Sequence, residues 1–375
     1  MTGLREKIRI LHVLGSLDIG GCEKLCLDIL RFHDRSRFEP QLVVLGSPNG
    51  GLATEFQSIP GLQIFQCLYT GARRLSFMIR FTQLCRRVRP DVVFCYAFGV
   101  HALIGLSARL GGVKRAIVTV QNPSPRERRM RRKTYWLAQL ARPSCTGEVA
   151  ASHYVANDIR DAYGLPHSRM RVIQNGCDVQ DIHQRAEKAR QDRVPSNGPV
   201  IGMVGRLDPI KDQATLIRAT AFLRRVHPTI RLKLIGDGPE RRNLEQLVSH
   251  LHLDGTVEFT GSRLDIPEQL AGLDVFAFST TSAEGFGIAM IEALAAGVAV
   301  VATDVGSCRE VLAGGRAGEL VPPGDAEALA GGIARFLNDP ALRTKFAEEG
   351  HHHALEHYDI RKTTRAYEHL LATLR

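Results

Sequence analysis

Residues 200–225 read VIGMVGRLDPIKDQATLIRATAFLRR, and the pattern of this stretch predicts the fold class. Its first five residues form a short apolar run with β-branched side chains, as expected of a buried strand. A loop with a glycine and a proline follows, and residues 212–225 then carry apolar side chains at helical spacing. The same order of strand and helix recurs down to residue 302, which predicts a parallel sheet covered by helices on both faces.

The N-terminal half repeats this pattern. KIRILHVLG at residues 7–15 predicts a strand, SLDIGG at 16–21 a loop, and the following residues a helix. Between residues 180 and 199 the pattern stops among charges and two prolines, which indicates an exposed connection. We therefore expect two doubly wound α/β domains, residues 1–185 and 200–355, joined by a linker at 186–199. A cleft between them would receive ligands at the carboxyl ends of the strands.

Composition excludes several other classes of protein. A chain of 375 residues that is 44% hydrophobic can bury two cores. Eight cysteines without a C-x-x-C pair favour reduced thiols over a disulfide framework or a zinc site. The apolar run at the N-terminus is too short for a signal peptide, and residues 92–108 are too short for a membrane span. The net charge of +10 is concentrated in the first 195 residues, which predicts an anionic partner for that half.

Several nucleotide-binding motifs are absent from the sequence. Neither half has G-x-G-x-x-G after its first strand, there is no Walker motif, and no two aspartates stand two residues apart. Diphosphate charge would then be met by protein cations and helix N-termini, without a metal ion or other cofactor. Arg206 and Lys211 lie at the carboxyl end of the strand at residues 200–204, where both can project into the cleft.

The stretch EGFGIAMIE at residues 284–292 is the second candidate site. Gly285 and Gly287 allow the backbone to approach an anion at the start of the following helix. Glu292 is expected to face the cleft, where a carboxylate can accept both hydroxyls of a ribose. A structural alternative stays open, in which Glu284 is a helix N-terminal carboxylate and Glu292 is solvated.

Six motifs follow one another along the chain: GGCEK (20–24), IQNGCD (173–178), VGRLDPIKD (204–212), LIGDGP (234–239), FTGS (259–262) and EGFGIAMIEALAAGVAVVAT (284–303). Together they resemble the retaining glycosyltransferases of family 4, over nearly the whole chain. The resemblance implies the GT-B fold, in which two Rossmann-like domains face each other across a cleft. The first would be the acceptor-side domain and the second the nucleotide-sugar-binding domain, with residues 356–375 as a helix that returns to the first.

The resemblance also implies roles for individual residues. Glu284 would lie beside the donor sugar and Glu292 beside the ribose, while Arg206 and Lys211 would neutralise the diphosphate leaving group. The remaining residues expected to bind the donor are Gly20, Gly21, Gln121, Gly236, Gly238, Ser262, Arg263, Gly285, Phe286, Gly287 and Ile288.

Two positions in the first domain bear on proton transfer. Many family members have a histidine where this chain has Gln121, and an amide cannot act as an acid or base. His101 resembles a second histidine that some members carry, so it is a candidate catalytic residue in the cleft. Its alternative is a buried or helix-capping histidine.

The implied function is that of a metal-independent, retaining hexosyltransferase. It would move a sugar from a nucleotide diphosphate donor, expected to be UDP-linked, to a membrane-associated glycan or lipid-linked acceptor in envelope or extracellular polysaccharide synthesis. Retention fits attack from the leaving-group face, with Glu284 as either a stabilising carboxylate or a nucleophile. The alternatives are a nucleotide-sugar epimerase of the same fold and a non-catalytic cationic protein that binds membranes.

A basic segment at residues 126–133 (RERRMRRK) precedes the only tryptophan of the chain. A cationic helix with an aromatic residue at its apolar boundary predicts contact with an anionic membrane, here the inner face of the plasma membrane from the cytoplasm. Nucleic acid fits less well, because aromatic residues are not interleaved. A solvated helix with Trp136 and Leu140 facing the core is the structural alternative. The residues assigned to this surface are Arg126, Arg128, Arg129, Arg131, Arg132, Lys133 and Trp136.

Overall fold

The structure is a computed structural model that describes residues 7–97, 100–141, 144–164, 170–193 and 196–373. The chain forms two compact units. The first consists of the chain up to Asn175 together with the segment from Ile360 onwards, and the second is Gly176–Asp359. Both are α/β units with parallel sheets, so the predicted fold class is confirmed. No helix in the described ranges is both long enough and apolar enough to cross a bilayer.

The first unit contains a seven-stranded parallel sheet in the order β3-β2-β1-β4-β5-β6-β7 among its described residues. Its strands are β1 (Ile8–Leu14), β2 (Phe38–Val44), β3 (Gln63–Gln66), β4 (Val92–Cys95), β5 (Arg115–Val120), β6 (Gly147–Ala150) and β7 (Met170–Val172). Its helices are α1 (Gly21–Phe32), α2 (Ala53–Gln57), α3 (Arg74–Val88), α4 (His101–Leu110), α5 (Arg128–Ala141), α6 (His153–Tyr163) and α15 (Ile360–Thr373).

Strand β1 is an interior strand of this sheet, and its residues are mostly aliphatic on both faces. It pairs with β2 from Ile8 and with β4 from Ile10, and residues 10–14 are buried. The C-terminal helix α15 packs on α1. Glu368 on α15 accepts a hydrogen bond from the backbone N–H of Asp34 at 2.7 Å. The sequence placed this terminal helix at 356–375, and the structure begins it at Ile360.

The second unit contains a six-stranded parallel sheet in the order β10-β9-β8-β11-β12-β13 among its described residues. Its strands are β8 (Val200–Val204), β9 (Arg231–Ile235), β10 (Val257–Gly261), β11 (Val275–Phe278), β12 (Val300–Thr303) and β13 (Glu319–Val321). Its helices are α7 (Val179–Gln191), α8 (Gln213–Arg224), α9 (Arg241–His250), α10 (Ile266–Ala271), α11 (Ile288–Ala295), α12 (Gly306–Val311), α13 (Ala326–Asn338) and α14 (Pro340–His357), with short 3₁₀ turns at Pro209–Lys211 and Ala313–Gly315.

The connection predicted at residues 180–199 is wrong over most of its length, because residues 179–191 form α7. This helix buries Val179, Ile182 and Ala186, which share one face at helical spacing. It packs on α10 and α11 of the second unit. Arg185 on α7 forms a bidentate ion pair with Glu268 on α10 at 2.9 and 2.8 Å. The many charges of the segment hide this narrow apolar face in the sequence. Because α7 belongs to the second unit, the first unit ends near residue 175 and not at 185.

Candidate functional site

The candidate site of the second unit lies at the carboxyl edge of its sheet, where β8 and β11 are neighbours. Strand order runs outward from β8 on one side and from β11 on the other. The loops after these two strands therefore leave in opposite directions and open a crevice, which is the usual ligand position in an open parallel sheet. Arg206 and Lys211 follow β8, and Glu284 follows β11.

The loop after β8 is held by hydrogen bonds of its own side chains. Asp208 accepts hydrogen bonds from the Ile210 N–H at 3.0 Å and from Arg206 Nε at 3.0 Å. Asp212 takes the left-handed conformation (φ 45°) and caps α8 by accepting a hydrogen bond from the Thr215 backbone N–H at 3.4 Å. It also accepts one from the Thr215 hydroxyl at 2.7 Å. This arrangement fixes the positions from which Arg206 and Lys211 emerge.

The loops after β8 and β11 are joined by direct hydrogen bonds. The backbone carbonyl of Ile210 accepts from the Thr281 N–H at 2.9 Å and from the Thr280 hydroxyl at 2.8 Å. The Ser279 hydroxyl donates to the Lys211 carbonyl at 3.3 Å. The two predicted motifs, which are far apart in sequence, therefore form one hydrogen-bonded pair of loops.

Lys211, on the loop after β8, forms an ion pair with Glu284, on the loop after β11. The Glu284 side chain is 9% exposed and that of Lys211 20%. The Lys211 ammonium also lies 5.1 Å from the centre of the Phe278 ring. Burial alone raises the pKa of Glu284, but the charge and hydrogen bond of Lys211, with the backbone N–H groups of Phe286 and Gly285, lower it below the ordinary value. Glu284 is therefore an ionised carboxylate at neutral pH, compensated by one ammonium.

Arg206 is the more accessible cation of the site. Its side chain is 71% exposed and paired with Asp208, so it can turn toward a ligand without unfolding the loop. Arg263 is likewise exposed and forms a two-pronged pair with Asp265 at 2.7 and 2.6 Å, beside the exposed Ser262. Both arginines thus have carboxylate partners that a ligand would have to replace.

The glycines after β9 have a packing reason that the motif alone does not reveal. A Cβ atom at Gly236 would lie 2.1 Å from the Gly205 carbonyl oxygen, and one at Gly238 would lie 2.3 Å from that of Leu207. The Leu207 N–H also donates to the Asp237 carbonyl at 3.0 Å. The close approach of these loops therefore requires glycine, whether or not a nucleoside lies along them.

The loop that leads into α11 is almost entirely buried. Gly287 caps the helix with a φ of 85°, and Ile288 begins it. The Phe286 side chain is buried against Tyr358, with ring centres 5.7 Å apart, so only its backbone can serve a ligand. Glu292 is buried at 9% exposure, so the alternative of a solvated carboxylate is wrong. Glu284 pairs with Lys211, which argues against a purely helix-capping role.

In the first unit, Gly20 precedes α1 in an extended conformation and Gly21 opens the helix. A Cβ at Gly20 would meet only the flexible end of the Glu23 side chain. His101 is the first residue of α4, and burial lowers its pKa to about 4. It is therefore neutral at physiological pH and cannot donate a proton as an imidazolium there.

Gln121 follows β5, and the structure places it against a residue for which the sequence predicted no role. Asn175 Nδ2 donates a hydrogen bond to Gln121 Oε1 at 2.8 Å, and Asn175 is 1% exposed. Within the described structure, the Gln121 Nε2 and Asn175 Oδ1 atoms are buried without a hydrogen-bond partner. The signal for Asn175 was its place in the IQNGCD motif.

The basic segment divides into two parts. Arg126 is fixed by an ion pair with Asp158 at 3.0 Å and a hydrogen bond to the Tyr154 hydroxyl at 3.0 Å. The other predicted cations lie on exposed positions of α5, namely Arg128, Arg129, Arg131, Arg132 and Lys133. Trp136 is 62% exposed, so the alternative in which it faces the core is wrong. The side chain of Leu140 lies outside the described residues.

Among the described residues, no group of three or more His, Cys, Asp or Glu side chains is arranged to hold a metal ion.

Two family models match successive parts of the chain. Residues 19–181 match "Glycosyltransferase Family 4" and residues 184–353 match "Glycosyl transferases group 1". The lipopolysaccharide core biosynthesis glycosyltransferase LpsE of Rhizobium meliloti is 37% identical over 204 residues, which is 54% of this chain and 58% of that protein. The phosphatidyl-myo-inositol mannosyltransferase of Mycobacterium tuberculosis is 35% identical over 221 residues, 57% of this chain and 56% of that protein. The chain thus spans a little over half the length of these relatives.

Solved structures share the fold over nearly the whole chain. HepE of Anabaena in complex with UDP and glucose has a TM-score of 0.84 at 22% identity and covers 98% of this chain and 100% of that chain. Sucrose-phosphate synthase from Thermosynechococcus elongatus has a TM-score of 0.81 at 19% identity and covers 98% and 99%. At these identities the likeness is one of fold.

Proposed function

This chain belongs to glycosyltransferase family 4, and we propose that it transfers a hexose from a nucleotide diphosphate sugar with retention and without metal. The observation that carries the proposal is the buried Lys211–Glu284 pair at the switch point of the second sheet, with Arg206 beside it. The cations can bind a diphosphate, and the carboxylate can stabilise a cationic sugar. Desolvating an ion pair is costly, so its presence at this sheet edge supports a functional role.

The chemistry follows from where charge develops. As the bond between the anomeric carbon and the phosphate breaks, negative charge grows on the diphosphate and positive charge on the sugar ring. Lys211 and Arg206 exchange their carboxylate partners for phosphate oxygens, supported by the N–H groups at Gly287 and Ile288. Glu284, released from Lys211, then faces the sugar. The acceptor attacks from the leaving-group face and gives its proton to a phosphate oxygen.

Glu284 acts in this proposal as a stabilising carboxylate. Its lowered pKa keeps it ionised in the unliganded site, where Lys211 is its partner. Once Lys211 turns to the diphosphate, the ionised carboxylate is a counter-charge for the cationic sugar. The neutral His101 and the amide of Gln121 serve binding and not proton transfer.

We propose a UDP-linked donor and an acceptor of the cell envelope. UDP is supported by its presence in the HepE complex of the same fold. An envelope glycolipid or polysaccharide is supported by the two relatives, a lipopolysaccharide core biosynthesis glycosyltransferase and a phosphatidyl-myo-inositol mannosyltransferase. The exposed cations of α5 support an anionic membrane as the surface on which the acceptor is met, at the cytoplasmic face of the plasma membrane.

The first test is a thermal-shift panel of nucleotide diphosphates, followed by nucleotide release from the matching sugar donors with a lipid extract. A ligand at 100 times its dissociation constant should raise the free energy of unfolding by about 2.7 kcal/mol. Release of the nucleotide only with the extract supports transfer. Conversion of the donor sugar without release would indicate an epimerase, and no stabilisation by any nucleotide would overturn the proposal.

Two glutamate variants separate binding from chemistry. Glu292→Gln should mainly weaken donor binding, about tenfold, because a ribose contact exists before and during the reaction. Glu284→Gln should mainly lower turnover, because its charge is needed as the sugar becomes cationic. Donor affinity by calorimetry and turnover by nucleotide release decide the roles. The reverse pattern would exchange the two residues.

A further inference from the structure

Helices α3, α4 and α5 are consecutive along the chain and form one layer of the first unit. They connect β3 to β4, β4 to β5 and β5 to β6, so right-handed crossovers place them on the same face of the sheet. The Thr82 hydroxyl on α3 donates to the Ser107 carbonyl on α4 at 3.1 Å, and Arg86 donates to the Leu110 carbonyl at 3.2 Å. Helix α4 packs in turn against α5. We call the outward side of this layer the α3–α5 face.

The charge on the α3–α5 face is of one sign. The three helices carry four arginines on α3, one on α4 and five arginines or lysines on α5, and no aspartate or glutamate. Leaving Arg109 aside, none of these cations forms an ion pair within the described part of the chain. Cations packed this closely without counter-charges repel one another, so the face is suited to an anionic partner.

The same face exposes an unusual amount of apolar side chain. Leu75 is 71% exposed, Leu110 56% and Trp136 62%, and Ile79, Leu106 and Met130 are each at least 43% exposed. On each of α3 and α4 the two aliphatic residues are four positions apart and therefore lie on one side of their helix. The opposite sides, including Phe77, Phe81, Ile104 and Ala108, are buried in the core beneath.

We propose that the whole α3–α5 face, and not α5 alone, docks on an anionic lipid bilayer. This deepens the membrane contact of the proposed function by naming its surface. Leucine and isoleucine side chains gain nothing from nucleic-acid phosphates but gain free energy in the acyl boundary of a membrane, while the cations lie among the headgroups. A second copy of this chain is disfavoured as the partner, because two such faces would bring like charges together.

The single tryptophan allows a test helix by helix. The native chain reports on α5, since Trp136 lies there, and Trp136→Phe combined with Leu106→Trp moves the reporter to α4. Vesicles of equal parts phosphatidylcholine and phosphatidylglycerol should shift the emission of both proteins to shorter wavelength and protect them from acrylamide. Trp136→Phe with Val226→Trp is the matched control, because Val226 is 67% exposed but lies in the second unit.

Binding measurements complete the test. Leu75→Ser with Ile79→Ser should weaken binding to these vesicles by about tenfold although α5 is intact. Val226→Ser should leave binding unchanged, and far-ultraviolet circular dichroism should show each variant folded. An unshifted Leu106→Trp reporter, or full binding by the α3 variant, would restrict docking to α5 and overturn the proposal. Equal shifts with nucleic acid or by self-association without vesicles would also overturn it. Because vesicle binding needs no donor, this outcome is independent of whether the chain transfers a sugar.

Discussion

The charges at the edge of the second sheet and those on the α3–α5 face are arranged in opposite ways. At the sheet edge each predicted cation lies beside a carboxylate: Lys211 with Glu284, Arg206 with Asp208 and Arg263 with Asp265. The α3–α5 helices contain no carboxylate at all. Paired charges suit a site whose cations exchange partners when a ligand arrives, whereas unpaired charges act over a distance on a large anionic surface.

The largest effect is expected from breaking the most buried of the three pairs at the sheet edge. Lys211→Ala leaves Glu284 as a buried carboxylate without its counter-charge, which should cost about 3 kcal/mol of stability and up to about a thousandfold in turnover. The measurements are urea unfolding and nucleotide release. Lys233→Ala is the matched control, because Lys233 also faces a glutamate, Glu258, but at 3.9 Å and with that glutamate half-exposed. Wild-type turnover in folded Lys211→Ala would show that the pair is only structural.

The Arg206–Asp208 pair is exposed, and a variant of Arg206 tests whether such a pair contributes to turnover. Arg206→Ala should lower turnover by roughly a hundredfold while stability stays within about 0.5 kcal/mol, because this side chain is largely solvated. Arg335→Ala removes a similarly exposed arginine that pairs with Glu319, and should change neither quantity. Full activity of Arg206→Ala, or a strict need for a divalent ion in the wild type, would remove the leaving-group role.

The unpaired region should instead respond to salt. Replacing Arg128, Arg129, Arg131 and Arg132 by Ser should weaken binding to phosphatidylglycerol vesicles by at least about a hundredfold, at about 1 kcal/mol per basic residue. Raising the salt concentration should weaken wild-type binding in the same direction. Arg126→Ser is the internal comparison, since Asp158 already compensates that charge. Equal sedimentation of the fourfold variant and the wild type at low salt would make these arginines a solvated face only.

The smallest effect is expected in the acid range. Because the folded pKa of Glu284 lies below its ordinary value, its contribution to stability is full above pH 4.5 and is lost as the pH falls through the folded pKa. Urea unfolding between pH 6 and 3, about the range in which carboxylates titrate, should show a shallower loss for Glu284→Gln than for the wild type. Parallel curves would mean that Glu284 titrates normally.

Local sequence information accounts for most of the fold. The predicted helix at residues 212–225 is α8 (Gln213–Arg224), and the helix predicted to follow Gly287 is α11 (Ile288–Ala295). Both have wide apolar faces, so their period is visible in the sequence. Helix α7 was missed because only Val179, Ile182 and Ala186 mark its buried face among many charges. Its packing on α10 and α11, which no local pattern reveals, stabilises it.

The sequence alone was enough for most of the order of strands and helices, for the loops that carry Arg206, Lys211 and Glu284, and for the basic character of α5, because each depends on neighbours within a few residues. Which groups meet depends instead on how the chain packs. Lys211 and Glu284 pair across 73 positions because β8 and β11 are adjacent in the sheet. Gln121 meets Asn175 across 54 positions. The outward side of α3 and α4 likewise became visible only when the core took their other side, since an exposed leucine and a buried one look alike until packing separates them.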